Sequence, residues 1–105
     1  MQKHRRILIA AREQEGMERT TRILEGDGHI VTGTLNDAVA IDMAGSSTFD
    51  ALVLARSLPL ADRGYVAREV SDRQPSIIAV MEQSPQSVLI QLRQAYKERQ
   101  SELAE

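Results

Sequence analysis

Few side chains in this chain can act as nucleophiles, bases or soft metal ligands. There is no cysteine, and His4 and His29 are the two histidines. That excludes disulfides, thiolate metal centres and cysteine nucleophiles. His29 has no partner at metal-ligand spacing and reads as a polar residue where a strand begins. No Ser-His-Asp spacing has structural support, so no enzyme is expected. The informative stretch is FDALVLARSLP, residues 49–59. Its apolar part, 51–55, reads as a buried strand that stops at a loop and a proline. In an open α/β sheet the carboxyl end of a central strand is where ligands and reacting groups gather. Here that end carries Ala55 and Arg56, neither of them a nucleophile. Asp50 precedes the strand at its opposite end, and Asp62 reads as a turn residue in the loop behind it.

The elements that must position this strand follow from periodicity. Residues 7–11, ILIAA, form a continuous apolar run that suits a strand buried on both faces of a parallel sheet. Met17, Thr20, Thr21, Ile23 and Leu24 give a helical stripe, and Gly26-Asp27-Gly28 ends it. Residues 29–33 read as a second strand. Asn36 is a good N-cap and Asp37 favours a helix start, which predicts a short helix over 38–44. Residues 57–64 read as a loop, and Tyr65, Val66, Ala67 and Val70 as a third helix. Pro75 ends it, and 76–81 is a fourth apolar strand. Ser84 and Pro85 open the last helix. Leu89, Leu92, Tyr96, Arg99 and Leu103 alternate at spacings of three and four. That is the seam of a helix laid on a sheet or of a short coiled coil; Arg99 interrupts it and favours the sheet. Residues 98–105 are expected to form a polar helical tail beyond a domain spanning 1–97. Four strands alternating with four helices argue for a parallel sheet with helices on both faces, a flavodoxin-like three-layer sandwich.

Composition bounds the partners. At 105 residues the chain makes one domain, and with 3% aromatic residues against 42% hydrophobic its core must be aliphatic. A net charge of -2 supplies no general attraction to nucleic acid. The basic run Lys3-His4-Arg5-Arg6 is either a phosphate contact or a solvated lead-in to the first strand. No apolar run approaches the roughly 20 residues that span a bilayer, and no signal-peptide core is present, so a cytoplasmic location is expected and no membrane partner.

In order and spacing the pieces resemble a response-regulator receiver domain over residues 5–97. RILIAARE is similar to the first receiver strand and its acidic loop, and LEGDGHIVTG followed by NDAVA to the second strand and its flanks. FDALVLARSLP is similar to the strand that carries the phosphoacceptor, PLADRG to its following loop, and PSIIAVME to the fourth strand. The resemblance implies the strand order 2-1-3-4. It also implies a site in which an acidic pair holds Mg²⁺ and an aspartate accepts a phosphoryl group. Here the acidic pair falls on Ala11 and Arg12, the phosphoacceptor on Ala55, and the Ser/Thr that senses the phosphoryl group on Met81. The resemblance thus predicts the fold without the chemistry, and neither a metal nor a cofactor is expected.

MEQSPQSVLIQLRQAYKE looks like the stretch that leads into the final receiver helix, so one βα unit with the fifth strand is expected to be missing. Ile77, Ile78 and Val80 would then lie on an exposed apolar edge. Together with Leu89, Leu92 and Tyr96 they are the candidate interface, and a homodimer is expected. The leading reading is a pseudo-receiver: an interaction or dimerisation module of two-component-type signalling, independent of phosphorylation, whose partner is a kinase, a regulator or its own copy. Arg12 and Arg56 could replace the metal's charge, hold the loops in one state or bind an anion, or else point into solvent; Glu13 is a further partner for Arg12. The alternative is a flavodoxin-like binder of a nucleotide, flavin or cobalamin. Against it, AREQEG is not a G-x-G-x-x-G loop and lacks the histidine of the cobalamin D-x-H-x-x-G pattern.

Overall fold

The structure is a computed structural model, described over residues 4–104; Lys3 of the basic run and the Leu103 side chain of the helical seam lie outside what it describes. Four strands, β1 (Arg6–Ala10), β2 (Ile30–Thr34), β3 (Ala51–Leu54) and β4 (Ile78–Met81), pair in parallel in the order β2-β1-β3-β4. Between and after them run α1 (Gln14–Gly26), α2 (Asp37–Ser46), α3 (Leu60–Arg73) and α4 (Val88–Ala104). The sandwich and strand order expected from sequence are those observed, and the described residues contain no fifth strand.

Side-chain alternation divides the core into two layers. Leu8, Leu52 and Leu54 meet Ala40, Ile41, Val66 and Val70 of α2 and α3. Ile7, Ile9, Val53, Ile78 and Val80 meet Leu24 of α1 and Val88 and Leu92 of α4. β1 and β3, buried on both faces, carry the continuous apolar runs. β4 alternates between buried and exposed, because α4 covers one face of it and no helix of the described residues covers the rest of the other.

This corrects one expectation. Ile77, Ile78 and Val80 are not exposed at the edge but buried in the monomer, as is Leu92. Leu89 and Tyr96 are half-buried against the same layer. What β4 leaves open is its peptide edge, with the side chains of Ala79 and Met81.

Local chemistry sets the helix ends. The Asn36 side chain accepts from Val39 N at 3.1 Å and caps α2. α1 closes with Gly28 at φ +92°, a conformation that favours glycine, while Gly28 N and His29 N bond to Glu25 O and Leu24 O. Ser84 and Ser87 cap each other around a 3₁₀ turn, Pro85–Ser87, that leads into α4. α3 starts at Leu60, directly after Pro59, so residues 60–64 are helical rather than a loop. The burial of Val66 and Val70 outweighs the helical penalty of Gly64, about 1 kcal/mol.

The amino end of the sheet engages Arg5, Arg6 and His29. Arg5 lies 3.6 Å over the Tyr96 ring and Arg6 5.3 Å over Phe49. Buried His29 accepts from Arg5 N at Nδ1, so its Nε2–H donates to Asp27 at 3.1 Å. It is a joint of the fold, remote from the strands' carboxyl ends.

Candidate functional site: the crevice at the carboxyl end of the sheet

The ladder runs one residue past each strand. Ala11 N donates to Thr34 O, Ala55 N to Ala10 O and Glu82 N to Leu54 O. Ala11, Ala55 and Glu82 therefore stand side by side at the rim of the sheet. Ala11 and Ala55 are buried, and their methyl groups close the apolar layer beneath α1 and α4.

Arg12 turns the other way. Its Nη1 and Nη2 donate to Asp37 Oδ1 and Oδ2, both at 2.6 Å, and Nη2 also reaches Asp62 Oδ2 at 3.1 Å. Asp37 and Asp62 sit in the first turns of α2 and α3, where a carboxylate also offsets the helix dipole. One planar guanidinium thus joins three elements through a bidentate pair and a third bond. The hydrogen bond to Asp37, opposed by partial desolvation and reinforced by the two carboxylates' charges, raises the Arg12 pKa above its already high ordinary value. The expected partner Glu13 is not used, and Asp62 is part of the site instead of a turn residue.

The loop after β3 is held from two further sides. Ser57 Oγ accepts from Arg12 N at 2.9 Å and Glu13 N at 3.3 Å. From α3, Arg63 donates to Leu58 O at 2.7 Å and to Arg56 O at 3.1 Å.

On the α1 side of this junction lies a cavity of about 290 Å³, lined by Glu13, Gly16, Arg19, Ala55, Arg56, Ser57, Glu82 and Pro85. Met81, at the position implied for the switch residue, faces out and is half exposed. The group that enters the cavity wall from β4 is Glu82. It is 4% exposed, and its carboxyl accepts the Thr20 hydroxyl on one oxygen and Arg56 N at 3.3 Å on the other. A carboxyl therefore stands beside Ala55, supplied by the neighbouring strand and occupied by two neutral donors.

These residues do not fit a magnesium-dependent phosphoacceptor site. Alanine and arginine stand at the positions that the resemblance implies for the acidic pair, and alanine at the one it implies for the nucleophile, and the nearest buried carboxyl is already hydrogen-bonded. Among the described residues no three His, Cys, Asp or Glu side chains are grouped to hold a metal ion. Nor is any described helix long and apolar enough to cross a membrane. Sequence reasoning singled out Ala11, Arg12, Glu13, Ala55, Arg56 and Met81; it missed Thr20 and Ser57, the hydrogen bonds of Glu82, and the tie of Arg12 to Asp37 and Asp62. The available signal was Asp37, an acid in the first turn of a helix that opens on the crevice.

No family model matches the chain, and no curated protein matches it. Solved structures do. A CheY-like response regulator receiver domain protein from Methanospirillum hungatei JF-1 superposes with a TM-score of 0.81 at 15% identity, covering 95% of this chain and 99% of that one. The receiver domain of the hybrid histidine kinase CckA gives 0.67 at 15% identity, covering 86% and 97%. A putative pilus assembly-related protein from Burkholderia pseudomallei K96243 gives 0.59 at 22% identity, covering 84% and 70%. The chain has the CheY-like fold of response-regulator receiver domains.

Proposed function

We propose that this domain is a pseudo-receiver: a signalling module of two-component type that binds a kinase or regulator without aspartyl phosphorylation, magnesium or a cofactor. It is not an enzyme in this reading, and it works in the cytoplasm. The observation that carries the reading is the exchange of charge in the crevice. Receiver chemistry needs carboxylates at positions here held by Ala11, Arg12 and Ala55, and Arg12 spends its fork on Asp37 and Asp62. That guanidinium holds the amino ends of α2 and α3 where a bound cation and a phosphoryl group would otherwise bias them, which favours one fixed signalling state. The test is incubation with a small phosphodonor and magnesium followed by intact mass. An unchanged mass is expected; one added phosphoryl group on an aspartate or glutamate refutes the reading.

A further inference from the structure

We infer that Gln91 guards the open edge of β4 by standing in for one residue of a neighbouring strand that the described residues lack, and that it keeps a second copy of this chain from pairing there. In a parallel ladder, alternate residues turn their peptide groups to opposite sides. Ile78 N and Glu82 N donate inward to Asp50 O and Leu54 O, so Ala79, Met81 and Gln83 face outward. A residue of a next parallel strand would donate its N–H to Met81 O and accept from Gln83 N. The Gln91 carboxamide does both: Nε2 donates to Met81 O at 2.6 Å, and Oε1 accepts from Gln83 N at 2.9 Å. Ser87 Oγ donates to the same Oε1 at 3.1 Å and steadies it. At the other end of the edge, Arg99 donates to Ser76 O at 3.2 Å.

Nothing on the strand itself duplicates this guard. Residues 76–81, Ser-Ile-Ile-Ala-Val-Met, carry no charge and no proline, the usual devices that keep an edge from pairing. Beside the edge, Ala79 and the half-exposed Met81 form a small apolar strip. An unguarded edge of this composition is self-complementary. Two copies meeting about a two-fold axis would pair β4 with β4 antiparallel and bury both strips. The inference does not depend on the pseudo-receiver reading.

Light scattering over a concentration series tests it. The natural chain should keep the mass of one chain, 11.7 kDa, throughout. Gln91→Met keeps the length of the side chain and loses both hydrogen bonds; Gln91→Ala removes the side chain altogether. Both should move to twice the mass at concentrations at least about tenfold below any association of the natural chain, with far-ultraviolet circular dichroism confirming the fold. Adding Ala79→Lys, which puts a charge on the strip, should return Gln91→Met to one chain. Folded Gln91 variants that stay at one chain overturn the inference. So does a natural chain that is already a dimer, or a dimer of Gln91→Met that Ala79→Lys leaves intact.

Discussion

Replacing Arg12 with alanine should loosen the carboxyl end of the sheet, and the structure sets the size of the effect. Arg12 makes two bonds of 2.6 Å to Asp37 and one of 3.1 Å to Asp62. An isolated exposed pair contributes about 0–1 kcal/mol, while a bidentate charge-assisted pair is roughly twice as strong as a neutral one. The three side chains are 34%, 20% and 42% exposed, so solvent screening discounts the sum. Loss of the shared cation also leaves two carboxylates facing each other. Together these give a loss of about 1–2 kcal/mol, or a fall in melting temperature of roughly 4–12 °C for a domain of this size. A thermal melt reads it, and a double-mutant cycle with Asp37→Asn should return a coupling of about 0.5–1.5 kcal/mol. Arg12→Lys should recover only part, because it keeps the charge and loses the fork. High salt should shrink the difference. An Arg12→Ala melt within about 1 °C of the natural chain refutes the idea that Arg12 fastens these helices.

Three further outcomes follow from neighbouring groups. Ala55→Asp should not restore phosphorylation; it buries a second carboxyl beside Glu82 and should cost about 2 kcal/mol or more in denaturant unfolding. Thr20→Val leaves one Glu82 oxygen without its donor and should cost about 1–3 kcal/mol, whereas pairing it with Glu82→Leu should recover part of that loss. Burial, with the Asp50 charge and against the Arg5 charge, pushes the Tyr96 phenol up to about 12, and its oxygen is buried without a hydrogen-bond partner among the described residues. The folded state then holds the phenolic proton more tightly than the unfolded chain, whose phenol titrates near pH 10. This contribution to stability is complete below pH 10 and is lost as the pH rises toward 12. Tyr96→Phe should remove that alkaline step, seen as a late phenolate absorbance change, and should leave neutral-pH stability unchanged or slightly higher.

The layered fold was legible because each strand is a short aliphatic run and each helix has a chemical start or stop. Asn36, the Gly26-Asp27-Gly28 turn and Ser84-Pro85 all act in the structure as their types suggest. The start of α3 was not legible: Leu-Ala-Asp-Arg-Gly looks like a loop, and only the structure, in which Arg63 N donates to Pro59 O at 2.9 Å, shows that the helix extends back to Pro59. The fate of β4 was half legible. That the described residues hold no partner strand for β4 follows from the count of elements, but no local pattern shows α4 lying over Ile78 and Val80, or Gln91 reaching back to the edge. At the crevice, the sequence shows alanine at the end of β3, which cannot accept a phosphoryl group. It could not reveal the contacts that fill the crevice. Arg12 with Asp37 and Asp62, and Glu82 with Thr20, are contacts between residues 25 to 62 apart in sequence, and only the fold brings them together.

The most direct test of the central claim is a pair of amide nuclear magnetic resonance spectra, recorded before and after addition of magnesium and a small phosphodonor. The account predicts superimposable spectra, with residues 11–13, 55–57 and 82 unmoved, because Arg12 already holds the loops and alanine, not aspartate, stands at the end of β3. Shifts concentrated at those residues that saturate with magnesium, or a second set of peaks after the phosphodonor, would contradict it.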